Sequence, residues 1–206
     1  MRTILLTGFE PFGGDTGNPS GDAVREVARR WRGPDELVTA ILPVEFDAAA
    51  REIRARIREL RPDVVIATGL AGGRRSVTPE RVAINLREAR IPDNGGAQPV
   101  DEPCVAGGPA AYFSTLPVKR IAAAIDGAVS YTAGTFVCND VMYVALDETR
   151  GSEARAGFIH VPWSDELAPN GQPSLPARAI ADALETAVRV AAEAKTDTDG
   201  AAGTLH

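Results

Sequence analysis

The chain has 206 residues, 44% of them hydrophobic, and a formal net charge of −6. That length suits one well-packed domain and is short for two. Its Lys and Arg never gather into a long run or interleave with aromatics, and its longest apolar stretches are strand-sized, so neither nucleic acid nor a membrane is expected as a partner.

Residues 3–7 form the first strand-length apolar run; with "MRTILLTGF" too short in apolar residues for a secretory signal, the expected location is the cytoplasm. Ser20 is placed to cap a helix whose apolar face carries Val24, Val27, Ala28 and Trp31. A strand over 37–42 follows, and Phe46, Ala49, Ile53, Ile57 and Leu60 repeat at helical spacing. Strands are expected over 64–67 and 81–86. The segment 87–108, "REARIPDNGGAQPVDEPCVAGG", has no periodicity, and so long a connection in a compact domain is usually functional or mobile. Next come a helix over 117–125, a strand over 128–131, a helix opening after Cys138 and a strand over 157–161. The last helix begins near Pro176 and presents Ile180, Leu184, Ala187, Val188 and Ala191 to a core. "KTDTDGAAGTLH", residues 195–206, has almost nothing to bury and reads as a disordered tail. The alternation of strands and helices defines a single α/β domain over 1–194, with a mixed, mostly parallel twisted sheet flanked by helices.

Within "TAGTFVCND", residues 132–140, a cysteine follows a small, apolar, β-prone run and precedes the start of a helix. At such a strand-to-helix turn the helix N-terminus favours thiolate, the reactive form. Taken alone, Cys138 is better explained as a small buried side chain. A partner changes the balance. His160, in "GFIHVPW", ends an apolar strand just before Pro162, at the end of an α/β sheet where sites gather, whereas the other histidine, His206, lies in the tail. Cys138 with His160 points towards a thiol hydrolase or transferase. An imidazole base needs a third group to orient it, and Glu80, opening a buried-looking strand in "PERVAIN", is the acid chosen. Local sequence alone favours the other reading of Glu80, an ordinary surface acid paired with Arg74, Arg75 or Arg81, and the choice rests on the resemblance described next. The two cysteines, Cys104 and Cys138, form no CxxC pair and suggest neither a disulfide scaffold nor a metal site.

The sequence resembles the type I pyroglutamyl peptidases (pyrrolidone carboxyl peptidases), a family of cysteine peptidases. The resemblance spans roughly residues 3–184 and is carried by "TGFEPFGG" with "NPS", "GLAGGR" leading to "PERVAIN", "ARIPDN", "GPAAYFSTLPVK", "AGTFVCN" and "GFIHVP", in the family's order. It implies a phosphorylase/hydrolase-like three-layer sandwich with a triad of Cys138 as nucleophile, His160 as general base and acid, and Glu80 as the orienting acid. It implies that Arg90 and backbone near Cys138 stabilise the oxyanion, and that Phe9, Phe12, Ile91, Phe136 and Val137 line a pocket for a flat, neutral ring. The implied reaction removes an N-terminal pyroglutamyl residue from peptides, needs no cofactor and no metal, and is performed by a cytoplasmic homotetramer.

Departures accompany the match. Leu70 stands where family members often carry Gln, and Val44 where they often carry Thr, which alters the polar groups near the lactam. "DGA", residues 126–128, shortens a surface turn. Asp140 stands where His or Gln is frequent, and a carboxylate so near the nucleophile in sequence is expected to raise the thiol's pKa. Two further readings stay open on sequence alone: a weakened relative that binds lactam or peptide termini without turnover, and a redox-active thiol protein with Cys104 as the available second thiol.

Overall fold

The computed structural model describes residues 1–203. The apolar run at the N-terminus forms β1 (Thr3–Phe9), followed by α1 (Pro19–Arg30), β2 (Glu36–Leu42), α2 (Phe46–Leu60) and β3 (Val64–Leu70). Two short strands come next, β4 (Thr78–Pro79) and β5 (Val82–Ile84), and then β6 (Ala111–Phe113) and α3 (Val118–Ala124). The chain continues through α4 (Val137–Thr149), β7 (Arg155–Val161), β8 (Trp163–Ser164) and β9 (Ser174–Leu175) to α5 (Ala177–Glu193).

Five strands make the main sheet in the order β2-β1-β3-β7-β4. The first four are parallel, and β4 runs antiparallel along the edge of β7. Helices cover both faces. Leu5, Val65 and Phe158 look towards α2 and α4, while Ile4, Leu6, Ile66 and Ile159 look towards α1, α3 and α5. Burial on both faces is why β1, β3 and β7 are apolar almost throughout, and each large side chain so buried contributes about 1.5–3 kcal/mol. This is the single-domain, mostly parallel three-layer α/β arrangement expected.

Several boundaries differ from the sequence reading. Asn18, not Ser20, caps α1: its Oδ1 accepts from the Ser20 amide at 3.0 Å, with Pro19 at the first helical position. Ala28 is exposed rather than on the apolar face. The strand expected over 128–131 is a single bridge between Ser130 and Glu80. That over 81–86 shortens to β5, which pairs with β6 in a separate ribbon. α4 starts at Val137, one residue before Cys138, and the run ahead of it is irregular, because Gly134 has φ +76° and Thr135 bonds sideways to Glu88.

The 87–108 segment is tied down at several points. Asp93 Oδ2 accepts from the Phe46 amide at 2.9 Å, supplying the cap that Glu45 does not give α2, and Asn94 Nδ2 donates to Glu10 Oε1 at 3.0 Å. Residues 196–200 reach the start of α3, where the Asp197 carboxylate accepts from the Lys119 and Arg120 amides. The end of the tail, with His206, lies outside the described residues. Among the described residues no helix is long and apolar enough to cross a membrane.

Candidate active site

The C-terminal ends of β3 and β7 and the N-terminus of α4 meet at one point. Phe136 caps α4, which makes Cys138 the second residue of a helix buried along most of its length. Its thiol lies over β3: a Cβ built on Gly69 would stand 2.7 Å from Cys138 Sγ. Gly69 is the register partner of His160 on β7. Register partners on neighbouring parallel strands present their side chains on the same face, so the absent side chain of Gly69 leaves the thiol its place beside the imidazole.

His160 is buried and its ring lies 4.8 Å from that of Phe158, centroid to centroid. Its Nδ1 is 2.6 Å from Glu80 Oε1. A carboxylate partner assigns the hydrogen to Nδ1 and leaves Nε2 as the acceptor. Glu80 is held from its own backbone, with its amide donating to Phe158 O at 2.8 Å, and its side chain is wholly buried. Arg74 Nη2 also reaches Glu80 Oε1, at 2.8 Å. Glu80 therefore touches both His160 and Arg74, and it does so as a buried acid rather than a surface one.

Burial lowers the His160 pKa, opposed by the hydrogen bond and charge of Glu80 and assisted by the charge of Arg74. Burial also pushes the Cys138 thiol up to about 12; the Glu80 charge adds to this, while Arg74 and the cysteine's own amide oppose it. The helix N-terminus thus does not make a resting thiolate here, contrary to the sequence expectation, because desolvation and the neighbouring carboxylate outweigh it. Both shifts run towards the uncharged forms, thiol and neutral imidazole.

The expectation for Asp140 is also corrected. Its carboxylate is fully buried and takes a two-pronged bond from Arg87, Nε to Oδ1 at 2.8 Å and Nη2 to Oδ2 at 3.0 Å. Arg87 in turn donates to Asp47 at 2.8 Å. Asp140 contributes nothing to the raised pKa of Cys138; it acts on Cys104, whose thiol burial and this carboxylate push up to about 12.

A cavity of about 240 Å³ opens on Cys138 and His160. Phe9, Phe12, Phe136 and Val137 form its walls together with Val44 and Leu70, two of the positions that depart from the family pattern. Phe136 is the hub, 5.3 Å from the Phe12 ring and 5.1 Å edge-on from that of Phe46. Ala133, Asp15 and Asn18 also face the cavity and escaped the sequence reading. The Asn18 amide is consumed by Glu10 O and Ser20, whereas Asp15 sits on an exposed turn after two glycines of positive φ. Short polar residues beside "FGG" were the available signal. Arg90 and Ile91 are exposed on the 87–108 segment and do not line the cavity.

An apolar pocket opening on a thiol, an imidazole and a buried carboxylate, at the C-terminal ends of parallel strands, has the make-up of a cysteine-type hydrolase site. Comparison with known proteins narrows the class. The family model for pyroglutamyl peptidase matches residues 2–194. A pyrrolidone-carboxylate peptidase of Clavibacter michiganensis subsp. michiganensis is 50% identical over 212 residues, covering 100% of both chains. The crystal structure of pyroglutamyl peptidase I from Bacillus amyloliquefaciens superposes with a TM-score of 0.93 at 46% identity, covering 97% of this chain and 99% of that one. The pyrrolidone carboxyl peptidase from Thermococcus litoralis does so with a TM-score of 0.89 at 38% identity, covering 94% of each chain. The chain belongs to the pyroglutamyl peptidase family.

Proposed function

We propose that this protein hydrolyses the amide bond after an N-terminal pyroglutamyl residue, with Cys138 as nucleophile, His160 as general base and acid, and Glu80 as the group that orients and charges against the imidazole. The observation that carries the reading is the 2.6 Å contact between His160 Nδ1 and Glu80, made at a cavity shared by His160 and Cys138.

In the first step His160 Nε2 takes the thiol proton as Sγ attacks the pyroglutamyl carbonyl. The carbonyl oxygen becomes an oxyanion at the N-terminus of α4, where free amides and the helix dipole face it. Collapse expels the amine, which leaves with the proton from His160, and a thioester remains on Cys138. Water attacks the thioester with the same imidazole as base, releasing pyroglutamate and restoring the thiol. The raised thiol pKa and neutral imidazole suit this order, since ion-pair formation is coupled to substrate attack.

A pyroglutamyl ring has no charged amine, and the apolar wall of Phe9, Phe12, Phe136 and Val137 suits its flat, neutral face. The resemblance alone assigns Arg90 to the oxyanion and Ile91 to the pocket. It also assigns a cytoplasmic homotetramer; the exposed Phe113, Val100 and Ile91 give a second copy apolar surface to cover, and light scattering on the purified chain tests that assembly. Release of aminomethylcoumarin from pyroglutamyl, prolyl and leucyl amides, with wild type beside Cys138→Ala, tests the activity. Preference for the pyroglutamyl amide, lost in the variant, is expected. Equal cleavage of all three, or activity surviving in Cys138→Ala, would overturn the reading.

A further inference from the structure

Glu80 is completely buried, yet both donors that reach its side chain fall on one oxygen. His160 Nδ1 and Arg74 Nη2 meet Oε1 at 2.6 and 2.8 Å, while the equally buried Oε2 has no partner among the described residues. A carboxylate facing only a neutral imidazole at zero exposure is poorly compensated, and among the described residues the Arg74 guanidinium is the one full opposite charge that pairs with it.

Arg74 is itself held from three directions. Its Nη1 donates to Thr78 Oγ1 on β4, its Nη2 donates to Thr132 O at 3.1 Å, and its own amide closes a turn on Ala71 O at 3.4 Å. It therefore joins the loop after β3, the strand leading into Glu80, and the segment that runs into Phe136 and Cys138. A guanidinium fork fits this task, because its donors are coplanar and splay at fixed angles.

We propose that Arg74 is a positioning residue for the hydrolysis, acting through Glu80 to keep that acid aimed at His160 and to cancel its charge, so that the imidazole stands ready as a free base. The inference rests on the pyroglutamyl peptidase reading above. The groups facing His160 are Glu80 and Arg74, Cys138 from α4, and Asp15 across the cavity. Of these, Arg74 opposes a proton on His160 and favours its loss from Cys138.

The test compares Arg74→Met, Arg74→Lys and wild type on the pyroglutamyl amide across pH. In Arg74→Met, kcat should fall about ten- to a hundredfold, as misplacement of a reacting group does, with KM unchanged within about twofold. The acid limb of kcat/KM should move to higher pH, because removing a nearby cation lets His160 take its proton sooner. Arg74→Lys should return the limb to its wild-type position while kcat stays low, since the charge is restored and the fork is not. In a Glu80→Gln background, Arg74→Met should add little further loss. A wild-type kcat in either single variant would overturn the proposal, and so would a reduced kcat with an unmoved acid limb in Arg74→Met. If Arg74→Met does not fold, Arg74→Lys carries the test through its kcat. If wild type cleaves no pyroglutamyl amide, the functional reading fails by itself. Arg74 is then judged by alkylation of Cys138 at pH 9, which Arg74→Met should slow and which an unchanged rate would decide against it.

Discussion

Gly69→Ala is the substitution with the most direct geometric consequence. The added methyl carbon would stand 2.7 Å from Cys138 Sγ and 2.9 Å from Phe158 Cζ. Ordinary contact begins near 3.5–4.0 Å, so the overlap is roughly 1 Å on each side. β3 cannot retreat, being bonded to β1 on one side and β7 on the other. The strain falls on the thiol, which must turn away from His160, or on α4, which must lift. Overpacking of this kind costs about 1–3 kcal/mol of stability, and displacement of a nucleophile by about 1 Å costs on the order of a hundredfold in rate. Steady-state kinetics on the pyroglutamyl amide, with thermal unfolding alongside, reads both quantities. The expected result is a loss of about a hundredfold in kcat/KM with a folded protein. Full activity in Gly69→Ala would show that the thiol does not act from its place over β3.

Arg87→Met should strand Asp140 as a buried charge and destabilise the fold by about 3–5 kcal/mol, read as a lowered urea midpoint, whereas Asp140→Asn should cost less; equal losses would deny the pairing. Phe9→Ala should raise KM for the pyroglutamyl amide more than it lowers kcat, and an unchanged KM would remove Phe9 from the pocket. Stability should depend on pH at both ends. His160 titrates below its ordinary 6.5 when folded, so the unfolded chain takes a proton first and stability falls as pH drops through 6.5 towards the folded value. Cys138 and Cys104 move from 9.0 to about 12, so stability falls as pH rises between those values. Unfolding midpoints that stay flat between pH 9 and 11 would contradict the raised thiol pKa values.

The long apolar strands and the amphipathic α2 and α5 were legible because their periodicity is set by burial, and burial governs most of this sheet. Short elements were not. β4 is two residues, one of them Pro79, and exists because the edge of β7 offers a partner; nothing local announces it. The run before Cys138 has β-prone residues, but a glycine at φ +76° and a sideways bond to Glu88 override the propensity. At the site, Cys138 and His160 were identifiable as a thiol and the sole internal imidazole at element ends. The choice of Glu80 depended on family resemblance, because the partners that enclose it, Phe158 and His160 on β7, are distant in sequence. Asp140 was misread for the same reason: its partner, Arg87, is 53 residues away.

Acid-quenched mass spectrometry during turnover of a pyroglutamyl substrate tests the central claim most directly. The expected result is one pyroglutamyl group on the proteolytic fragment that carries Cys138, formed in wild type and absent from Cys138→Ala. Turnover with no such adduct, or with the adduct on the fragment that carries Cys104, would contradict thioester catalysis at the N-terminus of α4.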